Sequence, residues 1–250
     1  MNKRSRSVFF AAAAIIALAC ACPGMSVPST NEPPAPATFA PISTIPPLQT
    51  EEVVPPPSAE ALLTDDFSAD TGEFESYTGD TGSAGYKDGV YFVRSESDPW
   101  EWGRSASDFA DVSIEVDIRL AEGPANHNAG LGVICRLAEN ANGDIDGYLL
   151  AISADGYYYI GNITAGSINP LVEWTTSNAI NQGREVNRVK ATCSGSDLTL
   201  EVNGEVVATA TTPAGGPTSG NIGFTVTSYE TQNGEPIAEG HFDNLVVTAP

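Results

Sequence analysis

Three tryptophans and a pair of tyrosines are the side chains in this sequence best suited to hold a ligand. Trp100 and Trp102 stand in DPWEWGR, Trp174 in LVEWTTS, and Tyr157 and Tyr159 in DGYYYI. A flat aromatic face takes the C–H side of a sugar ring, and a few polar groups then fix the ring's orientation. In an extended segment Trp100 and Trp102 point the same way, as do Tyr157 and Tyr159. The competing role for each is core packing or cross-strand aromatic pairing. Arg119 and Arg136 are polar partners either for a ligand or for the carboxylates of Glu115 and Asp117. Those two carboxylates share one face of a strand, where acid–base chemistry and plain ion pairing are both open. The two histidines, His127 and His241, show no HExxH or other paired spacing, which gives no footing for a zinc site or a Ser-His-Asp triad. Asn142-Gly143-Asp144-Ile145-Asp146-Gly147 imitates a calcium loop. Its twelfth position, where an EF-hand needs a bidentate glutamate, is Ser153, and strands flank it, so a hairpin turn is expected.

Strands must position these residues. Val112 to Leu120 (VSIEVDIRL) alternates with period two: Val112, Ile114, Val116, Ile118 and Leu120 face one way, and Ser113, Glu115, Asp117 and Arg119 the other. Leu131, Val133, Cys135 and Leu137 are expected on one face of the next strand. Gly147 to Ser153 and Tyr157 to Ile163 flank the turn Ala154-Asp155-Gly156, and Leu198 to Val202 and Glu205 to Ala210 flank Asn203-Gly204. Val90 to Arg94, Val189 to Cys193, Asn221 to Thr227 and Phe242 to Thr248 complete the stronger signals. No segment has helical spacing. The pattern predicts ten to thirteen strands in two antiparallel sheets packed face to face.

The amino terminus reads as an address. MNKRSRS is basic, and VFFAAAAIIALA is an apolar run too short for a lasting membrane span. Small residues followed by Cys20 resemble a bacterial lipoprotein signal, with Cys20 as the lipidated residue and Cys22 as the alternative. Ala17-Leu18-Ala19 also suits ordinary secretion. Residues 1–19 are thus a signal peptide. Residues 20–60 hold 11 of the chain's 18 prolines, which favours an extended, unpacked tether. The globular part is 61–250. Export would favour a disulfide between Cys135 and Cys193, with two buried thiols as the alternative. The net charge of −21, from 32 acidic against 11 basic residues, argues against binding a nucleic-acid backbone or an anionic lipid surface. Membrane contact would then come only through the lipid anchor. The carboxylates serve solubility, or in part bind Ca²⁺ or a cationic partner.

The series SAGYKDGVYFV, DFADVSIEVDIRL, AGLGVICR, DGYYYI, NRVKATCSG, LTLEVNGEVV, SGNIGF and FDNLVV resembles the concanavalin A-like lectin/glucanase superfamily. It is similar to laminin-G-like jelly rolls and to 3-keto-disaccharide hydrolase-like modules over about Leu63 to Val247. The resemblance implies an all-β, two-sheet antiparallel jelly-roll sandwich. It also implies that the last strand lies near the first, which would bring Asp243 beside Asp65 and Asp66, a trio able to share a structural Ca²⁺. Retaining glucanases of this superfamily carry E-x-D-x-E or E-x-D-x-x-E. Here Glu115 and Asp117 match the first two positions, while Arg119 and Leu120 stand where the second glutamate belongs. Arginine stays charged and cannot donate a proton to a leaving group. The expected function is therefore a surface-tethered, non-catalytic module that binds a glycan or another cell-surface partner, with Trp100, Trp102, Arg136, Tyr157, Tyr159 and Trp174 as its ligand contacts. The alternatives are a glycoside or 3-keto-glycoside hydrolase using Glu115 and Asp117, and a domain that docks an envelope protein.

Overall fold

The computed structural model describes residues 60–96, 100–229 and 237–250. The signal segment, Cys20, Cys22 and the proline-rich stretch lie outside the described residues. Among the described residues there are 15 strands and no helix. In chain order they are β1 (Ala61–Asp65), β2 (Tyr77–Thr78), β3 (Gly82–Lys87), β4 (Val90–Ser95), β5 (Glu101–Phe109), β6 (Val112–Glu122), β7 (Ala129–Glu139) and β8 (Ile145–Ser153). Then come β9 (Tyr157–Thr164), β10 (Ser167–Thr176), β11 (Asn187–Ser194), β12 (Asp197–Val202), β13 (Glu205–Thr211), β14 (Gly220–Ser228) and β15 (Ala238–Thr248). Every pairing is antiparallel. One sheet runs β13-β12-β11-β6-β15-β4-β3-β2 with β1 also on β15, and the other runs β10-β9-β8-β7-β14-β5.

Alternation builds the core. Val112, Ile114, Val116, Ile118 and Leu120 of β6 turn inward and are fully buried. They meet Leu131, Val133, Leu150, Ile152 and Ile160 from the facing sheet in one cluster. Phe224 and Phe242 stack at 4.6 Å between the sheets, with Phe67, Phe74 and Tyr91 close by. Each such side chain contributes roughly 2 kcal/mol by leaving water. Cys135 of β7 and Cys193 of β11 form a disulfide that joins the two sheets. The first strand does lie on the last, with Asp65 opposite Leu245.

Leu137 departs from the expected pattern. The β7–β8 register shifts between Cys135 and Ala138, and Arg136 takes a positive φ of 52°. The extra residue of a bulge moves the pleat by one, so Leu137 leaves the face of Cys135 and joins Ile134 and Leu149 on the other side of the sheet. The bulge also decides Arg136. Its guanidinium is 2% exposed and donates to Ala110 O at 3.0 Å, Gly195 O at 2.9 Å and Asp111 Oδ1 at 2.8 Å. Those partners sit in turns next to β6 and β11. Arg136 therefore clamps the sheets beside the disulfide and is not a ligand contact, contrary to the expectation from its charge.

Candidate functional site

The outer face of the six-stranded sheet carries a small apolar layer of its own. Ile134, Leu149, Ala151 and Ile163 form it, roofed by Trp100, Trp102, Tyr159 and Trp174. Glycines let the rings lie down on the sheet. A Cβ at Gly130 would fall 2.6 Å from the Trp100 ring, and one at Gly161 would fall 2.6 Å from the Tyr159 ring. Tyr159 stacks on Trp174 with ring centres 5.0 Å apart and 27° between planes. Tyr229, just past β14, meets Trp174 edge-on at 6.0 Å and Trp100 edge-on at 6.2 Å. The Trp100 and Trp174 indoles thus flank the Tyr229 side chain from two sides. Burial raises the Tyr229 phenol above its ordinary value, the two indole donors pulling the other way, and burial pushes Tyr159 up to about 12. Both phenols are neutral at physiological pH.

This aromatic group borders a cavity of about 300 Å³ lined by Asn128, Ser153, Asp155, Tyr157, Trp174 and Tyr229, a volume at the lower end for small-molecule sites. Tyr157 and Tyr229 expose 37% and 49% of their surface, whereas Tyr159 is buried beneath Trp174. Asp155 sits at the β8–β9 turn, where Gly156 adopts a φ of 100° and donates its N–H to Ser153 O. The Ser153 hydroxyl donates to Asp155 Oδ1. Among the described residues the site thus combines three aromatic side chains, two of them phenols, with one carboxylate.

Of the aromatic side chains expected to hold a ligand, Tyr157 and Trp174 line the cavity. Tyr159 supports Trp174 from below, Trp100 supports Tyr229, and Trp102 packs further along the same face. Tyr229, Ser153 and Asp155 escaped the expectation. Tyr229 continues the period-two series Thr225, Thr227 past the end of β14, and that continuation is the signal that would have found it.

The carboxylate candidates lie on the opposite sheet. Glu115 and Asp117 are on the outer face of the nine-stranded sheet, where Arg188 donates from Nε to Glu115 Oε1 at 2.8 Å and from Nη1 to Asp117 Oδ1 at 3.3 Å. Asn244 Nδ2 donates to the other oxygen of Asp117 at 2.9 Å. They are therefore an ion-paired patch distant from the aromatic cavity. Arg119 and His241 belong to the same face: Arg119 Nη2 donates to His241 Nδ1 at 3.0 Å, so the proton of the neutral ring sits on Nε2 and is donated to Glu239 Oε1 at 2.8 Å. That bond, together with Lys87 and Arg94, holds the Glu239 carboxyl at about 2. His127 occupies a loop with φ 59°.

Asp65, Asp66 and Asp243 do not converge as the shared Ca²⁺ site would require. Asp65 accepts from Phe67 N and Thr71 Oγ1, Asp66 from Ser68, and Asp243 from Asn244 N. Among the described residues no three His, Cys, Asp or Glu side chains are placed to hold a metal ion. Asn142 to Asp144 belong to the turn between β7 and β8, closed by Asn140 Oδ1 accepting from the backbone of Asn142 and Asp144, and Ile145 to Gly147 open β8.

Two antiparallel sheets in this order, with an aromatic outer face on the smaller one, define a concanavalin A-like jelly roll. Residues 63–248 match the 3-keto-alpha-glucoside-1,2-lyase-like domain, and the chain belongs to that family. Solved structures agree on the fold. The carbohydrate binding module CBM66 from Bacillus subtilis is 18% identical, with 70% of this chain and 95% of that one covered at a TM-score of 0.53. A beta-glucanase from Bacillus licheniformis is 13% identical, with 75% and 97% covered at 0.54. A beta-1,3-1,4-glucanase (lichenase) derived from a mouse hindgut metagenome is 12% identical, with 75% and 99% covered at 0.55. No curated protein matches the sequence.

Proposed function

We propose that this domain binds a saccharide in the cavity between Tyr157, Trp174 and Tyr229, and does so without catalysis. The observation that carries this is the cavity itself: aromatic walls for the C–H face of a ring, with Asp155 and phenolic hydroxyls for its hydroxyls. The likeness to a carbohydrate binding module supports the same function. The sequence features of residues 1–60 and the inter-sheet disulfide support placing the module outside the cell, tethered through a lipid on Cys20. A glycan array probed with the full chain tests the function, with Trp174→Ala as the site control. Binding that disappears in Trp174→Ala is the expected result. Binding to no carbohydrate would refute it and leave an envelope-protein partner, recoverable by pull-down, as the function. Fatty-acid labelling lost in Cys20→Ser and kept in Cys22→Ser is expected for the tether.

Family membership favours a second function, elimination on a 3-keto-glucoside. A ketone at C3 acidifies the C2 proton. A base removes that proton, its electron pair forms the C1=C2 bond, and the C1 oxygen leaves with a proton from water. Among the described residues lining the cavity Asp155 is the one carboxylate, and it would be that base. Ultraviolet absorption of the conjugated product, abolished in Asp155→Asn, would establish this route. Unchanged substrate would exclude it.

A further inference from the structure

Among the described residues six side chains line the cavity, and Asp155 is the charged one of the six. Among the described residues of that lining there is no Lys, Arg or His to neutralise an incoming anion. The Ser153 hydroxyl holds Oδ1 of Asp155, which orients the carboxylate and leaves Oδ2 and a further lone pair of Oδ1 for a ligand. A carboxylate held in this way accepts from two neighbouring hydroxyls at once, much as it accepts two parallel N–H groups from arginine. The Tyr229 side chain lines the cavity as well, and a phenolic hydroxyl can donate to a ligand or accept from it. The whole chain, at a net −21, adds a field of the same sign as Asp155.

We infer that the cavity takes an uncharged sugar ring with two adjacent free hydroxyls, gripped as a pair by Asp155, and turns away sugars that carry a carboxylate. This rests on the saccharide-binding function proposed above. A second charge brought within a few ångströms of Asp155 in a partly desolvated cavity weakens binding by about 10-fold.

The test is a titration of the full chain, followed by tryptophan fluorescence, with three matched probe sets. They are neutral gluco- and galacto-oligosaccharides, their uronic-acid counterparts, and the methyl esters of those acids. The acids should bind about 10-fold more weakly than the neutral sugars, with the esters back to within about threefold of them. Asp155→Asn should erase the difference between acid and ester. Acids bound as tightly as neutral sugars, or discrimination unchanged in Asp155→Asn, would overturn the inference while leaving saccharide binding intact. Binding of none of the three sets would overturn saccharide binding itself and this inference with it.

Discussion

The two outer faces of this sandwich have the same pleat and back onto the same core, yet they are chemically opposite. On the nine-stranded sheet many outward positions are charged and paired with one another. Arg188 joins Glu115 and Asp117, and Arg94 joins Glu96, Glu122 and Glu239. On the six-stranded sheet the outward positions next to the cavity carry glycines, aliphatics and aromatic rings over an apolar layer, with Asp155 as the described carboxylate of the lining. A face whose charges already neutralise each other gives little to a ligand. A face with partly exposed rings around a cavity gains by being covered. The contrast separates stability from binding, and each can be altered alone.

The largest effect comes from removing what both faces share. Cys135→Ser with Cys193→Ser opens a loop with a sequence separation of 58, which costs about 4 kcal/mol in the chain-entropy model. The denaturant midpoint should fall accordingly, while protein kept below its unfolding transition still binds saccharide. Loss of binding before unfolding would show that the faces are not independent. Next is Gly130→Val, whose side chain must displace the Trp100 ring. Crowding of this kind costs roughly 1–3 kcal/mol, and here saccharide affinity should fall along with the midpoint. Arg188→Ala acts only on the opposite face. Its pairs are partly exposed, so the midpoint should move by less than about 1 kcal/mol with saccharide affinity unchanged.

The smallest effect is acidic. Glu239 titrates near 2 in the folded chain against an ordinary 4.5. A depressed folded value means that its contribution is complete above pH 4.5 and is lost as pH falls toward 2. Thermal midpoints measured across that window should fall less steeply in Glu239→Gln than in the wild-type chain. Equal slopes would remove Glu239 as a source of acid sensitivity.

Much of the fold was legible because β6 writes its pleat directly in apolar alternation and β8 and β9 are apolar runs on either side of a turn signal. The strands that were missed lack it. β10 contains Pro170 and is an edge strand, β5 reads EWGRSASDF, and β3 is GSAGYK. Neighbours, not propensity, make these extended. The bulge at Arg136 was invisible for the same reason, since a one-residue shift leaves no mark on composition. At the site, Tyr157 and Trp174 were legible as aromatic types. Asp155 was hidden inside a turn signal, and Tyr229 lay beyond the end of a strand. The Glu115-Val116-Asp117 series was legible as one strand face open to ion pairing, and Arg188 pairs both carboxylates, but period two does not tell which of the sheet's faces meets a ligand.

The most direct measurement compares saccharide affinity in two variants, one from each outer face. Calorimetric titration with a neutral oligosaccharide that binds the wild-type chain should give an affinity about 30-fold lower in Trp174→Ala, the size of an interface anchor. It should give the wild-type affinity in Glu115→Gln with Asp117→Asn. Wild-type affinity in Trp174→Ala, with binding lost in the carboxylate variant, would contradict the assignment of the binding face.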